Sequence, residues 1–407
     1  MTAEAVKHAL HELVVYGAEW DVTWNTDKTG VLAFNVPDPP SEWRVGNFIA
    51  PLKQQEKFLS VIYTTDKKWH THYQTKIKST SIKFNMLCAA GLLGGANPPS
   101  TAAEIVNAML WPKLYSGCAA ANISGPEYKK LRKEILNLKV KVARKILGAS
   151  KFSPINATMG ELGWVDGREE SKAGNELVSA DLTELLILRR FLRAPTHTVI
   201  GKVSTQLQTE QAEQSKCMLR AKALLGKIGC TMPRALAPKG NETIKKLFAS
   251  AARRQWRERV ANSEALMETY GTNPSLRCAP YLSLPAFRGR TLLTRIRLND
   301  LPLEGAGFNT SAKGRCPLCM DPPVETRLHF TLECPEGAQK TLASDKHQKL
   351  RAWIDDMKCA NASKFMKMMN VSNKTRVLRV GNYLADLWEL RGIALRGKNS
   401  HFRQFYP

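Results

Sequence analysis

The chain has 407 residues, 43% hydrophobic and 24% charged, enough for two or three domains with cores of their own. Its 60 Lys and Arg against 36 Asp and Glu leave a net charge of +24, which excludes an electrostatically indifferent surface and points to a polyanion, nucleic acid first and a membrane surface second. No apolar run reaches the ~18 residues of a membrane span, residues 1–15 fit neither a secretory signal nor a transit peptide, and nine scattered Cys suit a reducing compartment inside the cell.

Strand-like stretches come first, over 31–34, 43–49 and 58–63, the first two joined by a turn containing Pro37, Pro39 and Pro40. A second break follows at Asn97, Pro98, Pro99 and Ser100. Beyond it the periodicity is helical. Leu131, Ile135, Leu138, Val142 and Ile146 recur at steps of three and four, the mark of a helix buried on one face, and Gly148 is placed to cap it. Asp181 is a fair N-cap for a helix burying Leu182, Leu185, Leu186 and Leu192. Polar stretches at 195–214 and 232–241 read as connections. A further helix over 242–260 should bury Ile244, Leu247 and Phe248, and a last connection runs over 301–314. The expected fold is mainly α with a small α/β N-terminal remnant.

The sharpest motif is Cys316, Cys319, His329 and Cys334, spaced C-x2-C-x9-H-x4-C. Three thiolates and one imidazole make a closed four-ligand set, the composition of a structural zinc site holding one ion. With no position left open for water, the chemistry is support of the fold. Removing the ion should loosen residues 301–340 and leave the helices beyond them standing. Residues 325–333 read as a short helix or turn delivering His329.

Basic residues are gathered beside aromatic ones in three clusters: Lys129, Lys130, Arg132, Lys133, Lys139, Lys141, Arg144 and Lys145; Arg253, Arg254, Arg257 and Arg259 around Trp256; and Arg288, Arg290, Arg295 and Arg297 leading into the metal segment. Lys and Arg neutralise phosphates and an exposed Trp stacks unpaired bases, so these are the candidate nucleic-acid ligands. Any one cluster alone reads as a solvated helix face; three with +24 overall favour a polyanion.

The segment RCPLCMDPPVETRLHFTLECPE (Arg315 to Glu336) resembles the C-terminal zinc knuckle of non-LTR retrotransposon reverse transcriptases, and LLTRIRLNDLPL (Leu292 to Leu303) resembles the helix that leads into it. WPKLYSG (Trp111 to Gly117), LKVKVARKILG (Leu138 to Gly148) and ELGW (Glu161 to Trp164) resemble the thumb and its extension. WNTDKTGVLAF (Trp24 to Phe34) is similar to the late palm motif. KFLSVIYTTDKKWHTH (Lys57 to His72) is similar to the primer-grip hairpin, with Phe58 and Ser60 where the family usually has Tyr and Gly. The likeness covers most of residues 1–340 and lies in the order and spacing of the motifs. It implies a late-palm and primer-grip remnant (1–64), a helical thumb-like region (65–165), a basic helical connector (166–300), a zinc knuckle (301–340) and a helical tail (341–407).

In that family the carboxylates that hold two catalytic metal ions lie upstream of the motifs matched here, and no position of this chain matches them. Asp355 and Asp356 lie beyond the knuckle as helix neighbours, which do not share a face, and read as solvated. The expectation is therefore a catalytically incomplete reverse-transcriptase descendant that binds RNA (or DNA). It would be a structural subunit of a ribonucleoprotein such as a mitochondrial or other ribosome, housed in mitochondrion or nucleus, touching other subunits and no membrane. The alternative is the C-terminal part of an active retrotransposon RNA-directed DNA polymerase; a decayed element is the blander third reading.

Overall fold

The computed structural model describes residues 3–25, 29–34, 36, 39–45, 48–58, 61–94, 97–117, 126–164, 216–271, 276–303, 316–319 and 325–396. The helix expected after Asp181 and the connection at 195–214 lie outside them. The described chain is mainly α-helical with four short strands, and it divides into two compact units: Met1–Thr80 with Pro112–Glu134, and Ser81–Trp111 with Ile135–Pro407. The division is not sequential, because the chain returns to the first unit after residue 111. No helix among the described residues is long and apolar enough to cross a membrane.

In the first unit, α1 (Ala3–Glu19) buries Leu10 with Trp43 and Ala50, flanked by Val6, Val31 and Phe48. Two antiparallel hairpins follow: β1 (Glu42–Val45) with β2 (Phe48–Pro51), and β3 (Gln55–Phe58) with β4 (Val61–Thr64). The strand expected at 43–49 is two strands folded back, and that expected at 58–63 runs from the last residue of β3 into β4. Pairing of Val45 with Phe48 and of Phe58 with Val61 leaves two residues between partners, Gly-Asn in the first case, a sequence suited to a tight hairpin. The strand expected at 31–34 is reduced to a single bridge between Val31 and Leu52.

The buried joint of this unit is His72, in α2 (His70–Ala89). Its Nδ1 accepts from the Ile62 N–H at 3.2 Å and its Nε2 lies 3.1 Å from the Ser116 carbonyl, which it can only donate to. One nitrogen accepts and the other donates, so the ring is neutral. Burial pushes His72 below the ordinary imidazole value, outweighing the Ser116 hydrogen bond.

In the second unit, α3 (Pro99–Met109) starts with proline in its first turn, where the missing N–H costs nothing. α4 (Trp111–Leu114) and α5 (Lys129–Leu147) each have residues in both units, and α5 buries Leu131, Ile135, Leu138, Val142 and Ile146 as their spacing requires. Gly148 ends it at φ +64, with its own N–H on Lys145 and the Ala149 N–H on Arg144, a left-handed cap that a side chain would strain. Next come α6 (Ile155–Glu161), α7 (Lys216–Lys227), α8 (Met232–Leu236), α9 (Gly240–Ala261), α10 (Glu264–Tyr270) and α11 (Arg290–Arg297). Part of the expected connection at 232–241 is thus the short α8. α9 matches the expected 242–260 within two residues and packs Ile244, Phe248 and Ala251 against Leu224, Leu225 and Ile228 of α7. The chain ends in α12 (Lys340–Ala343), α13 (Gln348–Asp355), α14 (Asn361–Met369) and α15 (Lys374–Arg396).

Buried ion pairs tie these helices together. Glu161 takes Arg297 through both carboxylate oxygens at 2.7 and 3.1 Å and also accepts from the Tyr270 hydroxyl. Arg297 lies between the Tyr270 and Tyr281 rings and reaches the Met369 carbonyl and Asn370. Burial opposes its charge, and Glu161 with the two tyrosines overrides burial, so the guanidinium is held above its usual value.

Candidate metal centre and nucleic-acid interface

The four residues of the C-x2-C-x9-H-x4-C motif come together. Their ligand atoms all lie within 4.8 Å of one another, with Cys316 and Cys334 fully buried and His329 nearly so. Among the described residues this is the one group of His, Cys, Asp and Glu side chains that could hold a metal ion. Cys316 Sγ is 3.7 Å from Cys334 Sγ, and Cys319 Sγ is 3.5 Å from His329 Nε2. A tetrahedral ion with thiolate bonds of about 2.3 Å and an imidazole bond of about 2.0 Å has S···S edges of about 3.8 Å and S···N edges of about 3.5 Å. Those two spacings therefore have the dimensions of a four-coordinate shell.

His329 and Cys334 are five residues apart. On an α-helix five steps amount to about 500°, which would leave the two side chains about 140° apart. The local backbone avoids this by widening. His329–Glu333 is a π-turn, closed by the Cys334 N–H on the His329 carbonyl at 2.8 Å, and a second π-turn, Pro335–Gln339, follows. An i to i+5 repeat turns less per residue, which brings ligands of this spacing toward one side. Thr326 starts the helical segment by accepting the His329 N–H at 3.0 Å, as the short helix expected here requires.

Backbone donors prepare the thiolates. Cys316 Sγ accepts from the N–H groups of Leu318 and Cys319, and Cys334 Sγ accepts from Gly337 at 3.3 Å. The Cys316–Cys334 hydrogen bond splits the pair: it raises Cys316, which burial raises further, and it lowers Cys334, helped by Gly337. Gly337 cannot be larger without cost, since a Cβ there would lie 2.6 Å from Leu318 Cδ1 and 3.2 Å from both Cys334 Sγ and Leu387 Cδ1.

The last helix beyond residue 340 packs directly on this segment. On α15, Tyr383 donates to the Thr331 carbonyl at 2.6 Å, Trp388 meets Phe330 edge-on, and Arg391 grips Glu325 through two bonds of 2.8 Å in full burial. Nearby, Arg327 bonds to Glu268, Thr269 and the Ile296 carbonyl. Sequence reading passed over these partners. The available signal was a charged residue at an apolar position: Arg391 falls in step with Leu384, Leu387 and Leu395, and Arg297 with Leu293.

The basic clusters fare differently. On α5, Lys129, Lys130, Lys133, Lys141 and Lys145 are exposed and Arg132 is half-buried. Arg144 is half-buried on the Ser153 carbonyl at 2.5 Å. Lys139 is buried, its ammonium over the Trp111 ring, and burial pushes it down to about 7. On α9, Arg253, Arg254 and Arg257 are exposed and Arg259 half-buried. Trp256 does not present a stacking face: it is buried, edge-on to Tyr270, with Gly160 so close that any side chain there would strike the indole. The third cluster is engaged within the fold. Arg288 bonds Asp386 and Glu389, Arg290 reaches the Leu284 carbonyl, Arg295 holds Asp300, and Arg297 holds Glu161. Asp355 and Asp356 are exposed at the end of α13, Asp355 beside Arg351 at 3.6 Å. No family model, no curated protein and no solved structure matches the chain.

Proposed function

We propose that this protein grips a nucleic acid, RNA in the first place, on a scaffold descended from a reverse transcriptase. The observation that supports the reading is the display of lysine and arginine on the outer faces of α5 and α9 in a chain of net charge +24. In this reading the β3–β4 hairpin is the primer-grip remnant, and α2 to α6 belong to the thumb. α7 to α11 form the connector, and the Cys316, Cys319, His329 and Cys334 centre is the knuckle. The ion is zinc, bound for structure, since three thiolates and an imidazole suit a borderline-soft ion and fill its coordination. Zinc with three thiolates leaves one negative charge, and the N–H groups directed at Cys316 and Cys334 offset it.

A structural place in a ribonucleoprotein follows from a basic surface that needs no active site. The second reading, part of an active retrotransposon polymerase, is favoured by the order of the motifs. Two experiments separate them. Under the first reading, log affinity for RNA falls against log salt with a slope of about −0.7 for each neutralised phosphate, and a flat response refutes it. An in-frame Asp-Asp palm immediately upstream in the genome would establish the second, and primer extension by the isolated chain would refute the first.

A further inference from the structure

We infer that the exposed face of α9 seats the phosphate backbone of a nucleic-acid duplex and takes no part in holding unpaired bases. The inference rests on the nucleic-acid reading above and names the form of ligand that this surface takes. Lys246, Ser250, Arg253 and Arg257 follow one another at steps of four, three and four, so they form a single stripe on the helix, with Arg254 beside it, and all five are exposed. At 1.5 Å per residue the stripe is about 16 Å long, enough to meet several phosphates. Ala249 and Ser250 keep the surface low between the cations, which lets a backbone approach the helix.

Two features set this face apart. The first is electrostatic. Among the described residues, Lys246, Arg253, Arg254 and Arg257 take part in no ion pair, although α9 carries Glu242 and Glu258. The arginines at 288, 295 and 297, by contrast, are each matched to carboxylates of this chain, Arg288 at the surface and Arg297 in the interior. The second is the fate of the aromatic rings. Residues 216–271 contain Phe248, Trp256 and Tyr270, and all three are buried. Single-strand binding without sequence preference draws about 1–3 kcal/mol per base from stacking on exposed rings, and the described residues of this helix and its neighbours in 216–271 offer none. Cations with no platform recognise phosphates alone. A duplex offers phosphates with its bases already stacked, whereas a single strand would be held with its bases idle.

The test uses the full chain and fluorescence anisotropy with three probes: a blunt RNA duplex, a DNA duplex of the same sequence, and unstructured oligouridylate. The variant is Arg253→Ala with Arg254→Ala and Arg257→Ala, whose exposed side chains leave the core intact. Lys349→Ala with Lys358→Ala and Lys374→Ala, all exposed on other elements, matches its charge change. The arginine variant should lose on the order of 100-fold in duplex affinity at 0.1 M salt and shorten the DNA salt slope by about 2 to 3, one step per lost phosphate contact. It should weaken oligouridylate clearly less, about tenfold or under, since a single strand presents its phosphates at lower charge density, and the lysine control should lose far less on the duplexes. Equal loss on duplex and single strand, or no loss on the duplexes, overturns the inference while the chain remains a nucleic-acid binder. Failure of the parent chain to bind any probe refutes the functional reading itself, and this inference with it.

Discussion

Removing the metal ion should release the C-terminal helix as well as the segment that binds it. The ligands sit on the stretch that also carries Glu325, Phe330 and Thr331, the three partners of α15. Without an ion, three thiol ligands and an imidazole in a buried site have lost what holds them at 3.5–3.7 Å, and the π-turns lose the reason for their geometry. The linkage to α15 can be sized from its parts. A neutral hydrogen bond such as Tyr383 to Thr331 is worth about 1 kcal/mol net. An edge-on aromatic pair such as Phe330 and Trp388 adds roughly 0.5–1.5 kcal/mol. Breaking a buried ion pair such as Glu325–Arg391 costs about 3–5 kcal/mol. Together they place about 4.5–7.5 kcal/mol of α15's resistance to opening under control of the metal segment, or roughly three to five and a half decades in amide exchange protection. Hydrogen exchange read by mass spectrometry, with and without a chelator and with released metal titrated in parallel, measures this directly. Peptides covering Lys374–Arg396 should accelerate together with those covering 325–339. Acceleration confined to 325–339, with α15 unchanged, would refute the coupling and restore the picture of an isolated knuckle.

Gly337→Ala crowds Leu318 and Cys334 Sγ where the backbone donates to the thiolate, so metal affinity should drop about 10–100-fold in a chelator competition, and an unchanged affinity would count against the role given to that N–H. Glu161→Gln leaves Arg297 buried without its counter-charge and should cost about 3–5 kcal/mol in urea unfolding. Part of that loss should return in the double variant with Arg297→Met; a single variant as stable as the parent would show that the pair does not tie the second unit together. His72 is held below the ordinary imidazole value, so the folded state binds fewer protons than the unfolded one. Its contribution is complete above the unfolded value of about 6.5 and is lost as pH falls from there through the lower folded value. His72→Asn, which keeps an acceptor for the Ile62 N–H and does not titrate, should flatten that part of the stability–pH profile, and an unaltered profile would exclude His72 as its source.

Much of the architecture could be read along the chain because it rests on local rules. The apolar steps of α5 and their end at Gly148, and the span of α9, depend only on helix periodicity and on glycine at a left-handed cap. The metal set was legible because ligand type and spacing are written in the sequence. The hairpins were harder. The first reads as one strand over 43–49, since two residues between pairing partners leave hardly any gap in an apolar pattern, and the second shows as a hairpin only through the primer-grip likeness of Lys57 to His72.

What the sequence by itself determined is the helical character, the identity of the four residues that could hold a metal ion, and a net charge of +24. Only the tertiary structure decided what each cation does with that charge. Arg253 and Arg297 are the same residue type in similar basic helices, yet one faces water and the other is locked on Glu161, 136 positions away in sequence. Trp256 likewise became core when Gly160 and Tyr270 closed on it. The physical reason is that burial and pairing are properties of distant segments meeting. A residue's chemistry is fixed by its own atoms, but whether that chemistry is spent inside the fold or offered to a partner depends on neighbours that no local pattern specifies.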